Sequence, residues 1–140
     1  MSAPLTVVFA GGGTGGHLFP GIAIAEELRE LVAGAAISFV GSEKKIESSV
    51  VPMHGFEFDS IRIAGFRRKI SLETAALPFL VAGALLQSAR ILRRRKPDVV
   101  VGTGGYVAGP VLYAAAKMGK RTLIQEQNEY PGITTRLLAK

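Results

Sequence analysis

Between Phe9 and Gly21 the chain reads FAGGGTGGHLFPG, with five glycines in the six positions 11–16 and a histidine directly after them. Glycine carries no Cβ, so such a run lets backbone amides approach a ligand closely, and phosphate oxygens are recognised in this way at helix N-termini. Histidine is a side chain suited to take a proton from a hydroxyl near neutral pH, and His17 stands where it could do so. It suits a helix cap or a phosphate contact as well. A second glycine segment, GTGGYVAGP from Gly102 to Pro110, and the polar run Glu126-Gln127-Asn128 are the other candidates. Glu126 is a rival base, or a strand-end carboxylate paired to an arginine. Gln127 and Asn128 suit hydrogen bonds to sugar hydroxyls, and Tyr106 suits stacking on an acceptor or donating to it; turn and packing roles stand beside each of these readings. The other histidine, His54, sits in the turn-like PMHGFE.

Gly11, Gly13 and Gly16 match G-x-G-x-x-G, a pattern that is weak by itself. A nicotinamide-binding unit places an acid about 20 residues further on, at the end of its second strand, to hold the ribose hydroxyls. Here that strand ends Val40-Gly41-Ser42 and the nearest acid, Glu43, comes late, which argues against a dinucleotide oxidoreductase. His17 stands where a P-loop would carry its lysine, which argues against that class of nucleotide hydrolase.

The elements that must position these residues alternate. Leu5–Ala10 is a short apolar run rich in β-branched residues and ended by glycines, as for a strand buried on both faces. Pro20 fits a first helical turn, with Ile22, Ala25, Leu28, Leu31 and Val32 recurring at helical spacing. Ala36–Ser42 predicts a strand, Glu43–Val50 a polar helix, Phe56–Ile63 a strand, and a long helix runs from an N-cap at Ser71 to the basic cluster before Pro97. Asp98–Gly105 repeats the strand-into-glycine pattern, a helix follows over about Pro110–Lys117, Arg121–Asn128 predicts a further strand, and the C-terminal PGITTRLLAK opens another helix. This order predicts an α/β fold, a parallel sheet with helices on both faces. Ligands of such sheets bind at the carboxyl ends of the strands, where the glycine segments and Glu126–Asn128 all fall.

Composition narrows the class further. The 140 residues, 48% of them hydrophobic, suffice for one domain with a core. With no cysteine there is neither a disulfide framework nor a thiol nucleophile, and the start of the chain reads as a buried strand rather than a signal peptide, which makes a cytoplasmic setting the expectation. Seventeen Lys and Arg against eleven Asp and Glu favour anionic partners. Nucleic acid is not expected, because stacking aromatics are not interleaved with the cations. Spacing of His, Asp and Glu predicts no metal site.

The stretches GGGTGGHLFPGIAIAEEL, GTGGYVAGP and QEQNEYPGITTRLLAK together resemble the N-terminal half of the MurG-type bacterial glycosyltransferases, over essentially the whole chain. The resemblance implies the Rossmann-like N-terminal, acceptor-binding domain (residues 1–140) of a GT-B glycosyltransferase. Such enzymes transfer N-acetylglucosamine from UDP-GlcNAc, a substrate and not a cofactor, to the C4 hydroxyl of lipid I, an undecaprenyl-diphosphate-linked muramoyl-pentapeptide. The anomeric centre inverts and lipid II forms for peptidoglycan, at the inner face of the cytoplasmic membrane. On this resemblance His17 and Glu126 are the catalytic candidates, and Gly13, Thr14, Gly15, Gly16, His17, Gly104, Gly105, Tyr106, Gln127 and Asn128 the substrate-binding ones. A second domain holding most of the donor site lies outside this chain, supplied either by a longer chain or by a partner chain, so the 140 residues alone are expected to be inactive. The alternative is a non-catalytic, membrane-associated subunit of a split UDP-GlcNAc transferase.

Ala75–Leu86 is too short and interrupted to cross a bilayer, which takes about 20 apolar residues, but it suits lying on one. Leu77, Phe79, Leu80 and Leu85 are the expected apolar contacts, with Arg67 and Arg68 before them and Arg94 and Arg95 after them facing an anionic leaflet. Composition alone reads the same segment as a buried crossover helix, and the family resemblance favours a peripheral membrane contact.

Overall fold

The computed structural model describes residues 2–63 and 72–140. Arg67, Arg68 and the N-cap expected at Ser71 lie outside the described residues. The elements follow in the order β1 (Thr6–Gly11), α1 (Gly15–Leu31), β2 (Ala36–Ser42), α2 (Glu47–Met53), β3 (Glu57–Ile61), α3 (Leu72–Arg95), β4 (Val99–Gly104), α4 (Ala108–Lys117), β5 (Arg121–Ile124) and α5 (Ile133–Leu138). The strands form one parallel sheet in the order β3-β2-β1-β4-β5.

The central strand shows why the sequence folds this way. Side chains alternate across a strand, so Val7 and Phe9 enter one core with Leu18, Ile22 and Ala25 of α1, whereas Val8 and Ala10 enter the other with Leu92 of α3 and Val111 of α4. An apolar residue is therefore required at each position from Val7 to Ala10, as the continuous run indicates. Phe39 of β2 stacks on Phe9 at 5.1 Å between ring centroids and meets Phe56 at 5.3 Å, and the Arg29 guanidinium covers Phe56 at 4.5 Å. Such aromatic and cation–π contacts add to burial.

Three of the boundaries that differ from the sequence reading bear on the site. Helix α1 begins at Gly15, so Pro20 lies inside it and not in its first turn. Strand β5 ends at Ile124 and not Asn128: the Gln125 amide still donates to the Gly102 carbonyl at 2.8 Å, but Gly104 then turns β4 away with φ +109°. Glu126–Asn128 is thereby released from the sheet into a loop. Helix α2 starts four residues late, at Glu47, which lies one turn before buried Val51 and shares its inward face.

Because Phe39 is 2% exposed between two rings, Phe39→Ala is predicted to lower unfolding stability by roughly 3–5 kcal/mol. Equilibrium unfolding in urea measures this, and a loss below about 1 kcal/mol would contradict the packing described.

Candidate functional site

The chain winds outward from β1 to β2 and β3, then crosses to β4 and β5 on the other side, so β1 and β4 flank the point where the strand order reverses. At such a point the connections leave in opposite directions and open a crevice at the carboxyl edge. Both glycine segments sit there. The Gly12 amide donates to the Gly104 carbonyl at 3.3 Å, and a Cβ built on Gly105 would stand 2.2 Å from the Gly12 carbonyl oxygen. The two loops thus touch backbone to backbone, an approach that only glycine permits at this position.

His17 is the third residue of α1. A Cβ on Gly104 would lie 2.4 Å from its Nδ1, so the imidazole rests on the second loop although it belongs to the first. Gln127 adds the third segment: its Nε2 donates to the Gly16 carbonyl at 2.8 Å and lies 3.2 Å from His17 Nδ1. Pro20 explains the first contact, because in a helix the Gly16 carbonyl would accept from residue 20, and proline has no N–H. The carbonyl also fixes the amide's orientation, since only the –NH₂ end can donate to it. The same –NH₂ then faces Nδ1, which must accept, and the neutral ring carries its proton on Nε2.

Glu126 is occupied differently from either reading of the sequence. Its carboxylate accepts from the Asn128 amide at 3.0 Å, Asn128 Nδ2 at 2.9 Å, the Gly132 amide at 3.3 Å and Thr135 Oγ1 at 3.0 Å, and no arginine pairs with it among the described residues. The Asn128 backbone hydrogen bond, followed by those from Thr135, the Asn128 side chain and Gly132, holds its pKa below the usual carboxylate value against the opposing effect of burial. The lowered value makes it a weak base, and the geometry makes it the anchor of the loop and of the start of α5. Asn128 gives its backbone N–H and one hydrogen of its side-chain –NH₂ to this anchor.

The first loop holds a residue that the sequence reading passed over. Glu47 is fully buried beneath it, with both carboxylate oxygens on the Gly13 amide at 3.2 and 3.0 Å and Oε1 on the Ser42 amide at 2.8 Å. Gly13, expected to offer its amide to a ligand, gives it to Glu47. The signal in the sequence is a lone acid at i−4 from Val51 on the apolar face of a short helix. Thr14 is the N-cap of α1 but makes no side-chain cap, and the Leu18 amide bonds its carbonyl at 3.2 Å; Gly15 and Gly16 form the first turn beside it. His54 stands apart, with Nδ1 2.8 Å from Glu26 Oε1.

Tyr106, half exposed, lines an apolar groove of about 560 Å³ with Leu77, Leu80 and Leu85 of α3, Tyr113 of α4 and Leu137 of α5. Residues 78–82 of α3 are all exposed, and Phe79 is 80% exposed, whereas the second half of the helix buries Ala84, Ser88, Ile91 and Leu92. The helix is therefore a crossover helix at one end and an apolar surface at the other. Arg94 and Arg95 do not border that surface. They pair with Asp59 and Glu57 of β3, with Arg95 Nε 2.7 Å from Asp59 Oδ2, and lie roughly 20 Å from Leu80 at about 1.5 Å rise per residue. No described helix is long and apolar enough to cross a membrane, and the described residues hold no group of three His, Cys, Asp or Glu side chains suited to a metal ion.

The five-stranded parallel sheet, with two glycine loops that meet beside a histidine at the switch point, is Rossmann-like, and comparison with known proteins places it with the N-terminal halves of GT-B glycosyltransferases. The chain belongs to the glycosyltransferase family 28 N-terminal domain family, whose model matches residues 7–140. It is 50% identical over 136 residues to a UDP-N-acetylglucosamine–N-acetylmuramyl-(pentapeptide) pyrophosphoryl-undecaprenol N-acetylglucosamine transferase of Ruminiclostridium cellulolyticum, covering 97% of this chain and 37% of the relative. A protein of the same name from Chlorobium limicola is 51% identical over 139 residues, covering 96% of this chain and 38% of that one. The crystal structure of Acinetobacter baumannii MurG superposes with a TM-score of 0.84 at 33% identity, over 97% of this chain and 39% of that one. The chain thus spans less than two fifths of the length of these relatives.

Because the folded-state pKa of Glu126 is lowered, its support of α5 is present at neutral pH and is lost as pH falls below the ordinary carboxyl value and through the lowered one. Amide exchange at Gly132 and Asn128 should therefore accelerate in mild acid, beyond its intrinsic pH dependence, and Glu126→Gln should abolish that excess. An excess that persists in the variant would assign the effect elsewhere.

Proposed function

We propose that this chain is the acceptor-side domain of an inverting N-acetylglucosaminyltransferase that uses UDP-GlcNAc and a polyprenyl-diphosphate-linked muramoyl-pentapeptide, lipid I. The observation that carries the reading is the meeting of His17, the Gly104–Gly105 backbone and Gln127 at one point of the carboxyl edge. The names of the relatives, transferases acting from UDP-N-acetylglucosamine on an N-acetylmuramyl-(pentapeptide) pyrophosphoryl-undecaprenol, supply the substrates. Those names denote transferases outright, which does not favour the alternative of a non-catalytic subunit.

In the proposed step the C4 oxygen of the muramoyl sugar bonds to the anomeric carbon of the donor while the bond from that carbon to the UDP phosphate oxygen breaks. The bonding pair departs with UDP, and the hydroxyl proton passes to His17. A base within reach of such a hydroxyl contributes about 10²–10⁴-fold. His17 Nε2 takes that proton only when it is bare, so Gln127 must first turn its amide from Nδ1, and the acceptor sugar is the polar partner available to it. Gly15, Gly16 and the second loop line the path of the diphosphate, and Tyr106 stands between that path and the apolar groove. The donor site belongs to a second domain, carried by a longer form of this chain or by a partner chain.

A second reading of His17 rests on the same contact: with Gln127 in place, Nε2–H donates to the acceptor and the ring is a binding group. His17→Ala in the full-length protein separates the two. Loss of about 10²–10⁴-fold in kcat with UDP-GlcNAc binding unchanged is the expected result for a base. Near-normal kcat with a raised acceptor KM would make His17 a binding residue instead.

Peripheral attachment at the cytoplasmic face of the membrane is proposed through the exposed end of α3. Each large apolar side chain buried contributes about 1.5–3 kcal/mol, so Phe79→Ser with Leu80→Ser should weaken partitioning onto anionic vesicles at least about tenfold. Arg94→Ser with Arg95→Ser should change it little, because those cations are paired to β3. Unchanged partitioning of the first variant would refute the assignment.

A further inference from the structure

We propose that Glu47 is a positioning residue of this site: its buried carboxylate fills the anion-accepting place of the first glycine loop and so fixes where the loops meet and where His17 stands. The inference rests on the transferase reading for its kinetic consequence, and on the geometry of α2 and the loop for the rest.

A buried carboxylate is costly unless its oxygens are satisfied. Among the described residues, those of Glu47 are satisfied by the Gly13 and Ser42 amides and by no cation, which makes them charge-assisted hydrogen bonds to backbone. The loop is wrapped closely around the group. A Cβ on Gly12 would stand 2.4 Å from the carboxyl carbon, and Gly12 has φ +152°, a backbone that L side chains rarely adopt. From Gly12 the contacts run onward without a gap: its amide bonds Gly104, its carbonyl lies against Gly105, and Gly104 carries the His17 ring. A carboxylate on α2 is thus joined to the imidazole through the two loop backbones.

The second consequence concerns the ligand. In a glycine loop of this kind the amide of the middle glycine is free to meet a phosphate, and here it already holds an internal anion. A diphosphate entering the cleft finds a carboxylate behind Gly13 and no free donor there, which leaves it to the amides of the α1 turn and of the second loop. Glu47 would therefore influence both the placing of the histidine and the seat of the diphosphate.

The test uses the full-length protein with Glu47→Gln, close in shape, and Glu47→Asp, which keeps the charge but is shorter by one methylene. Glutamine keeps one accepting oxygen but turns an –NH₂ toward the Gly13 amide, donor against donor, where the second carboxylate oxygen accepts at 3.0 Å. For folded protein, kcat should fall about tenfold or more in both variants, since small misplacements of a reacting group carry penalties on that scale, while KM for UDP-GlcNAc stays within about twofold. By NMR, Glu47→Gln should shift the Gly13 and Ser42 amides and also the Gly104 amide and the His17 ring. Perturbation confined to Gly13 and Ser42, or a kcat per folded molecule within about twofold of wild type in both variants, would overturn the proposal. A wild-type protein with no transferase activity would refute the transferase reading instead, and the Gly104 and His17 resonances would then decide for or against Glu47 on their own.

Discussion

Two stretches of backbone touch at the reversal of the sheet, and most of what lies around the cleft follows from that contact. Gly12 and Gly104 bond directly, with Gly105 against the Gly12 carbonyl, so the end of β1 and the end of β4 behave as one surface. A parallel sheet normally separates the connections leaving adjacent strands by the width of side chains. Removing those side chains brings α1 and the second loop close enough for a histidine on one to rest against the other. It also requires both strands to be held to a fixed height, which the two cores do by burying Phe9 and Val101 on one face and Ala10 and Val100 on the other.

Charge is used in two ways. The chain carries a net +6, yet the acids near the cleft are directed inward: Glu47 onto amides of the first loop and of β2, and Glu126 onto amides of the loop before α5 and a hydroxyl of α5 itself. Each serves as a short brace across backbone that no regular ladder satisfies. Away from the cleft, Asp59 and Glu57 hold the basic end of α3 against β3, so part of the positive charge is structural.

What the sequence could reveal depended on whether the cause was local. The buried strands are legible because β1 must be apolar from Val7 to Ala10, and the switch-point loops because glycine runs follow two strands. The first turn of α1 was misread because Pro20 is usually a sign of a helix start, whereas here tertiary contact compensates it inside the helix. Glu126–Asn128 reads as strand by composition and is loop because β4 turns at Gly104, an event of the neighbouring strand. Glu47 was invisible in the same way: its meaning lies in Gly13, 34 residues away. Arg94 and Arg95 look like a solvated cationic end until β3 supplies their carboxylates.

The place of Pro20 bears on how such a cleft is kept in one piece. A complete helix is self-sufficient and has no need of its neighbours' side chains, but α1 is short of one donor, and the vacancy opens toward the cleft at the Gly16 carbonyl. Gln127 answers it from a segment 111 residues distant. The flaw in the helix thus serves as an address, and a loop that leaves the sheet without a partner has somewhere definite to arrive. Repairing the flaw, by restoring an N–H at position 20, would make α1 more regular and leave the histidine with one neighbour fewer.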